Sequence, residues 1–176
     1  MLRVKTIIVG LGTPILGDDG AGWRVAEAVQ SQLQQTGAGQ EVEVMLLSLG
    51  GLSLMEHLVG CQQAIIIDAM NLSIGETGSV YSFPLEALPN PTSGHMGSAH
   101  DTSLMTALEM GRKMGAELPA EVMVVGIESP YVYDFSEQLS PPVSAAIPLA
   151  VRTVISLLQD DGAPTQAHTH KPDSAL

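Results

Sequence analysis

Two acidic motifs and two histidines carry the side chains best suited to chemistry in this sequence. Asp18 and Asp19 stand between glycines, after an apolar run and a glycine-rich turn, at the start of a predicted helix. Asp68 ends a second apolar run, and His95 and His100 lie on the approach to another predicted helix. Carboxylates at the N-terminal end of a helix stay ionised near neutral pH, because the helix dipole favours negative charge there. Two carboxylates and an imidazole therefore suit a borderline divalent metal ion better than acid catalysis.

These residue types also have purely structural interpretations. An aspartate before a helix often only caps it, and a histidine in a loop is commonly just solvated. His168 and His170 lie in a polar stretch near the end of the chain, where two histidines can be incidental. Spacing alone therefore leaves metal binding and structural roles both open.

Other familiar catalytic motifs do not fit. Gly10-Leu11-Gly12 invites a dinucleotide-binding interpretation, but Ile15 occupies the third glycine position, and no acid ends the second predicted strand. No Gly-x-Ser-x-Gly sequence supplies a serine nucleophile. Cys61 is the single cysteine, so no intramolecular disulfide can form, and its position before an apolar run predicts a buried, inert thiol.

Composition and charge narrow the classes of function. The 176 residues are 45% hydrophobic and 15% charged, which predicts a globular chain long enough for one core. The formal net charge of −12 argues against nucleic acid and against a membrane surface as partners. We see no secretory signal and expect no apolar stretch long enough to cross a membrane. Together with the cysteine content, this predicts a cytoplasmic protein.

Strand and helix patterns alternate along the chain and predict an α/β fold with a mostly parallel sheet and helices on both faces. Residues 78–83 alternate and precede a proline, as an edge strand does, and we expect this strand to be antiparallel. The pattern predicts a single domain over residues 1–159 and a flexible polar tail over 160–176. The predicted strands span residues 4–10, 41–47, 64–69, 78–83 and 121–128, and the predicted helices span 21–35, 53–59, 101–114 and 140–158.

The predicted topology places the acidic motifs together. In open parallel sheets, ligands bind outside the carboxyl ends of the strands. Asp19 and Asp68 each follow a predicted core strand, so both can reach that edge. The predicted loop at residues 129–139 carries Tyr131, Tyr133 and Phe135, which suit either partner docking or core packing.

Helical spacing predicts which residues of two helices face the sheet. The expected inward residues are Val25, Ala26, Val29 and Leu33 of the first helix, and Leu104, Leu108 and either Met110 or Gly111 of the third long helix.

The ordered motifs resemble those of the nickel–iron hydrogenase maturation proteases, over roughly residues 4–155. The glycine–acid segment at residues 10–22 resembles the N-terminal signature of that family, and residues 65–69 resemble its second acidic motif. Its histidine motif is matched by Ser98-Ala99-His100-Asp101-x2-Leu104, and its C-terminal pattern by residues 125–128 and 139–143.

The resemblance implies a five-stranded twisted sheet flanked by helices. It also implies an endopeptidase that removes the C-terminal extension of a hydrogenase large-subunit precursor after nickel insertion. Asp19 and Asp68 match the family's two metal-contacting acids, and His100 matches its histidine, so these three are the catalytic and metal-contacting candidates. In that family the nickel arrives with the substrate. We therefore expect no tightly bound cofactor, and we expect the nickel-loaded precursor as the partner.

Two positions depart from the family pattern. Thr13-Pro14 replaces a common Asn, and Asp101 replaces a common Gln; a carboxylate close to His100 would raise the pKa of that imidazole. Two other functions stay open. One is a nickel-binding carrier or sensor without peptidase activity, and the other is a metal-dependent hydrolase that holds its own ion.

Overall fold

The fold alternates strands and helices as the sequence predicts. The computed structural model describes residues 6–37, 41–88, 99–130 and 134–159, with only the backbone of residues 99–103. The strands β1 to β5 are Thr6–Leu11, Val42–Leu47, Gln63–Met70, Val80–Pro84 and Glu121–Glu128. The helices α1 to α4 are Ala21–Thr36, Gly51–Leu58, Ala99–Lys113 and Pro141–Gln159.

The five strands form one sheet in the order β2-β1-β3-β5-β4. Strands β1, β2, β3 and β5 are parallel, and β4 runs antiparallel to β5 at the edge. Pro84 ends this edge strand opposite Met123, where a missing N–H is tolerated. The predicted mostly parallel sheet with an antiparallel edge strand is confirmed.

Helices cover both faces of the sheet. Helices α1 and α4 pack with one apolar cluster, and α2 and α3 pack with the other. All four predicted inward residues of α1 are buried. In α3 the structure selects Gly111 over Met110, because Met55 and Leu118 close over Gly111 and leave no room for a side chain.

Helix α4 differs from the sequence-based expectation about membrane-length segments. An 18-residue window of this 19-residue helix has a mean hydropathy of 1.5, so the expectation that no apolar stretch reaches membrane-spanning length is wrong. The same length and composition occur in core helices of soluble proteins, and α4 packs Val143, Ala150 and Val154 into the core beside α1. The high hydropathy of α4 is thus partly accounted for by packing against the sheet.

Several other boundaries differ from the predictions by one or two residues, and two short 3-10 helices were not predicted. One of them spans Leu85–Ala87, directly after β4. A short 3-10 helix at Gly17–Gly20 carries the two adjacent aspartates, where the sequence predicts only a glycine-rich turn. Helix α2 begins at Gly51 rather than at residue 53. His95, Tyr131, Tyr133 and the predicted tail, with its two histidines, lie outside the described residues.

Candidate functional site

The sheet reverses its winding direction between β1 and β3. Helix α1 connects β1 to β2, which lies on one side of β1, whereas β3 and β5 extend the sheet on the other side. A crevice forms outside the carboxyl ends of the strands at such a switch point, and ligands of doubly wound folds bind there. Asp19 follows β1 and Asp68 lies near the end of β3, so the topology places both acids at this switch point.

The first turn of α1 is held tightly against the sheet at this edge. A side chain on Gly22 would overlap the carbonyl oxygens of Leu11 and Ile67, so only glycine permits this approach. One residue later, the indole N–H of Trp23 donates to the carbonyl of Leu47 at the end of β2, over 3.1 Å. The glycines of the first motif thus fix the helix start directly above β1 and β3.

Asp19 is half-buried and is anchored by one of its carboxylate oxygens. The backbone N–H of Thr13 donates to Asp19 Oδ2 over 2.6 Å. Gly12, at a φ of +128°, leaves room only for the backbone carbonyl of Asp19 where a side chain would otherwise be. No hydrogen bond from the described residues reaches Asp19 Oδ1. The carboxylate is therefore oriented by the glycine turn while one oxygen remains able to coordinate a cation.

Asp18 uses both of its carboxylate oxygens within the fold. Its Oδ1 accepts from the backbone N–H of Ser140 over 2.6 Å, and its Oδ2 accepts from the hydroxyls of Ser140 and Ser129 at 2.8 and 3.0 Å. Ser140 directly precedes α4, and Ser129 directly follows β5. Asp18 therefore tethers the 3-10 helix to the start of α4, and this distinguishes it from Asp19.

Asp68 is buried, with 1% of its surface exposed. Ile66 and Met70, two residues to either side, pack into the cluster that α2 and α3 cover. Because side chains alternate along a strand, Asp68 lies on that face of the sheet. Its position opposite Gly126 of β5 places it at the carboxyl end of two central strands.

Glu128 is a second buried acid at this edge, and the sequence-based search for site residues did not single it out. It ends β5, is 4% exposed, and its Oε1 accepts from the backbone N–H groups of Leu72 and Ser73, both at 3.0 Å. Burial raises the pKa of Glu128 above its ordinary value of 4.5, and the N–H groups of Ser73, Leu72 and Ile74 lower it in part. Glu128 thus holds the loop that follows Asp68.

His100 lies in the first turn of α3, one residue after the helix begins. The segment after α3 lies beside the amino end of β3, since Gly60 donates to the carbonyl of Glu117 and Ala120 to that of Gln62. The start of α3 is therefore directed toward the carboxyl edge, although the His100 and Asp101 side chains lie outside the described residues. Among the side chains that are described, no group of three metal-binding residues occurs.

Two other features lie apart from this edge. A cavity of about 350 Å³ opens near the amino ends of β1 and β3, between the last turns of α1 and α4, and includes Gln32, Thr36 and Gln63. Cys61 is half-buried and packs beside the cluster under α2 and α3. Burial, and then the charge of Glu43, raises the pKa of this thiol, which favours the unreactive protonated form.

The chain is similar to proteins of one family over most of its length. A profile described as hydrogenase maturation protease matches residues 23–157, which include Asp68 and His100 and begin four residues after Asp19. A hydrogenase expression/formation protein, HupD of Rhizobium leguminosarum, is 24% identical over 97% of this chain and 81% of its own length.

Solved structures show the same fold. The hydrogenase maturating endopeptidase HybD of E. coli superposes with a TM-score of 0.72 at 23% identity, covering 90% of this chain and 94% of its own. The [NiFe] hydrogenase maturation protease HybD of Thermococcus kodakarensis gives a TM-score of 0.65 at 26% identity, covering 87% of this chain and 98% of its own.

Proposed function

The chain belongs to the hydrogenase maturation protease family, an endopeptidase family, and from that premise we propose its specific reaction. We propose that it removes the C-terminal extension of a nickel–iron hydrogenase large-subunit precursor after nickel has been inserted. The observation that carries the proposal is the placement of Asp19 and Asp68 at the switch point of the sheet. A chain of this family that holds two acids at its ligand-binding edge suits a substrate that presents a cation.

The two acids would have complementary roles in this reaction. Asp19 is half-buried, and the described residues donate no hydrogen bond to its Oδ1, so this oxygen would contact the cation. Asp68, buried near the end of β3, would supply a second carboxylate. His100, at the start of α3, would add a nitrogen ligand. Together they would complete the coordination of the nickel in the substrate and thereby position the scissile peptide beside the site. The metal belongs to the substrate in this proposal, so the protease holds no resident cofactor.

This arrangement provides a physical basis for reading the maturation state of the precursor. Without nickel, the three side chains would have nothing to coordinate, and two carboxylates at one edge repel one another. With nickel present, the same charges attract the metal. We propose the cytoplasm as the location of this reaction, because a chain with a single cysteine and no intramolecular disulfide is typical of a reducing compartment.

The experiment is a cleavage assay on the nickel-loaded precursor, read by intact-protein mass spectrometry. Wild-type protein should release a C-terminal peptide, and Asp19→Asn, Asp68→Asn and His100→Ala should each slow release about 100-fold or more. Glu27→Gln, on the exposed side of α1, is the matched control and should retain full activity. Binding of the precursor without cleavage by wild-type protein would reject the protease proposal and favour a nickel carrier or sensor.

A further inference from the structure

Three large apolar side chains are exposed on loops at the edge that holds the candidate site. Ile15, Ile74 and Phe135 have 49%, 60% and 86% of their surface exposed. They lie on the loops that follow the carboxyl ends of β1, β3 and β5. We call these three side chains the apolar rim. Exposed apolar groups beside a functional site are characteristic of surfaces that bind another protein.

The three loops are connected to one another rather than independent. The N–H of Gly17 donates to the carbonyl of Ser136 over 2.7 Å, and the N–H of Ser136 donates to the carbonyl of Ile15 over 3.0 Å. This backbone pairing places Phe135 next to the segment that carries Ile15. The loop of Ile74 reaches the same region, because Gly78 packs against Pro142 in the first turn of α4. These contacts place the three loops that carry the apolar rim along one edge of the sheet.

The same loops carry a strongly acidic charge. Glu76, Asp134 and Glu137 are exposed and lie within two residues of a member of the apolar rim. The loop sequences at residues 12–20, 71–79 and 129–140 contain no lysine or arginine. Arg24, in the first turn of α1, contacts this surface: its guanidinium donates to the backbone carbonyl of Glu137 over 3.4 Å and also lies 3.6 Å from Glu27. The acids of these loops outnumber this one arginine, so a partner bound here would meet apolar groups interleaved with net negative charge.

We propose that the apolar rim docks the segment of the precursor next to the scissile bond, and that this segment carries apolar and basic side chains. The inference rests on the proposed function, which brings a polypeptide to the adjacent acids. Burying exposed aromatic and branched side chains supplies affinity, and the surrounding acids select a cationic partner and accelerate its encounter. Because the apolar rim consists of side chains other than the three that would contact nickel, it would recognise the precursor whether or not the metal is present.

The test measures binding and cleavage in parallel, with the purified nickel-loaded and nickel-free precursors as probes. Biolayer interferometry with Phe135→Ser and Ile74→Ser should show Kd raised about 10-fold or more for both probes. Met114→Ser is the matched control, because Met114 is 83% exposed but follows α3 at the opposite, amino edge of the sheet. All three side chains are exposed, so each variant should fold, and the control should leave Kd within about 2-fold.

Charge is tested separately from apolar contact. Combined Asp134→Asn and Glu137→Gln substitutions should flatten the dependence of the association rate on salt, whereas Glu121→Gln at the amino end of β5 should not. Cleavage without any effect of the rim variants on binding would overturn this inference and leave the proposed function standing. Binding that depends on the apolar rim, without cleavage, would support the docking surface and reject the proposed protease function. Failure of wild-type protein to bind either precursor would overturn the docking surface.

Discussion

Replacing Asp18 by alanine should destabilise the protein strongly, although Asp18 is half-buried and beside the candidate site. The substitution removes three hydrogen bonds of 2.6 to 3.0 Å that join the 3-10 helix to Ser129 and Ser140. Bonds to a charged acceptor contribute about 1.5–3 kcal/mol each, but the two hydroxyls can turn toward water once the acid is gone. The negative charge of the carboxylate also interacts favourably with the N-terminal end of α4, which contributes about 0.3–1 kcal/mol to stability. We therefore expect a total loss of about 2–4 kcal/mol in the free energy of unfolding.

Urea unfolding followed by circular dichroism measures this loss directly. With a slope of about 2 kcal/mol per molar urea, the midpoint should fall by about 1–2 M. Asp18→Asn keeps an acceptor oxygen without the charge, so it should lose about half as much. Asp134→Ala removes the same charge from an exposed position on the neighbouring loop and should stay within about 0.5 kcal/mol of wild type. If Asp18→Ala proves no less stable than Asp134→Ala, the tethering role assigned to Asp18 is wrong.

Three further predictions address the other residues that build this edge. Glu128→Gln should change the pH dependence of stability. Because the pKa of Glu128 in the folded protein lies above 4.5, the free energy of unfolding of the wild type falls as the pH rises from 4.5 through that folded pKa. The uncharged variant should lack this fall, and urea unfolding at a series of pH values measures it. Gly22→Ala should lower the unfolding free energy by about 1–3 kcal/mol or more, because its methyl group would meet the carbonyls of Leu11 and Ile67; thermal unfolding at neutral pH would show this, and an unchanged Tm would refute the close approach. Asp19→Asn should keep the acceptor for Thr13 and stay within about 1 kcal/mol of wild type in urea while losing cleavage, so a stability loss as large as that of Asp18→Ala would contradict the division of roles.

The sequence predicted most elements of the fold because its periodicities are local. The apolar run before Gly10 predicts a strand buried on both faces, and the helical spacing from Val25 to Leu33 predicts the inner face of α1. The positions of Asp19 and Asp68 at the sheet edge followed from where those strands end. Local patterns were sufficient wherever the structure is decided by one strand or one helix.

What the sequence could not predict depends on contacts between distant segments. The different environments of Asp18 and Asp19 arise from Ser129 and Ser140, which lie 111 and 122 residues from Asp18 in the chain. No local pattern separates two neighbouring aspartates by partners so far away. The same holds for Phe135, whose exposure excludes the core-packing alternative and depends on how its loop pairs with the loop after β1.

Helix boundaries and helix faces show the same limit at shorter range. Choosing between Met110 and Gly111 as the inward residue of α3 required knowing that Met55 and Leu118 leave no space there. The hydropathy of α4 could not be interpreted from the sequence either, because packing against the sheet and α1 sets the role of its apolar face. Tertiary packing decides such positions, and periodicity alone does not encode it.

We propose that the chain cleaves a precursor because of the nickel that the precursor carries. The most direct measurement incubates wild-type protein with nickel-loaded and nickel-free forms of one cognate large-subunit precursor and follows both by intact mass. We predict loss of a C-terminal peptide from the loaded form alone. Equally fast cleavage of the nickel-free form would contradict the proposed use of Asp19, Asp68 and His100 in reading the metal.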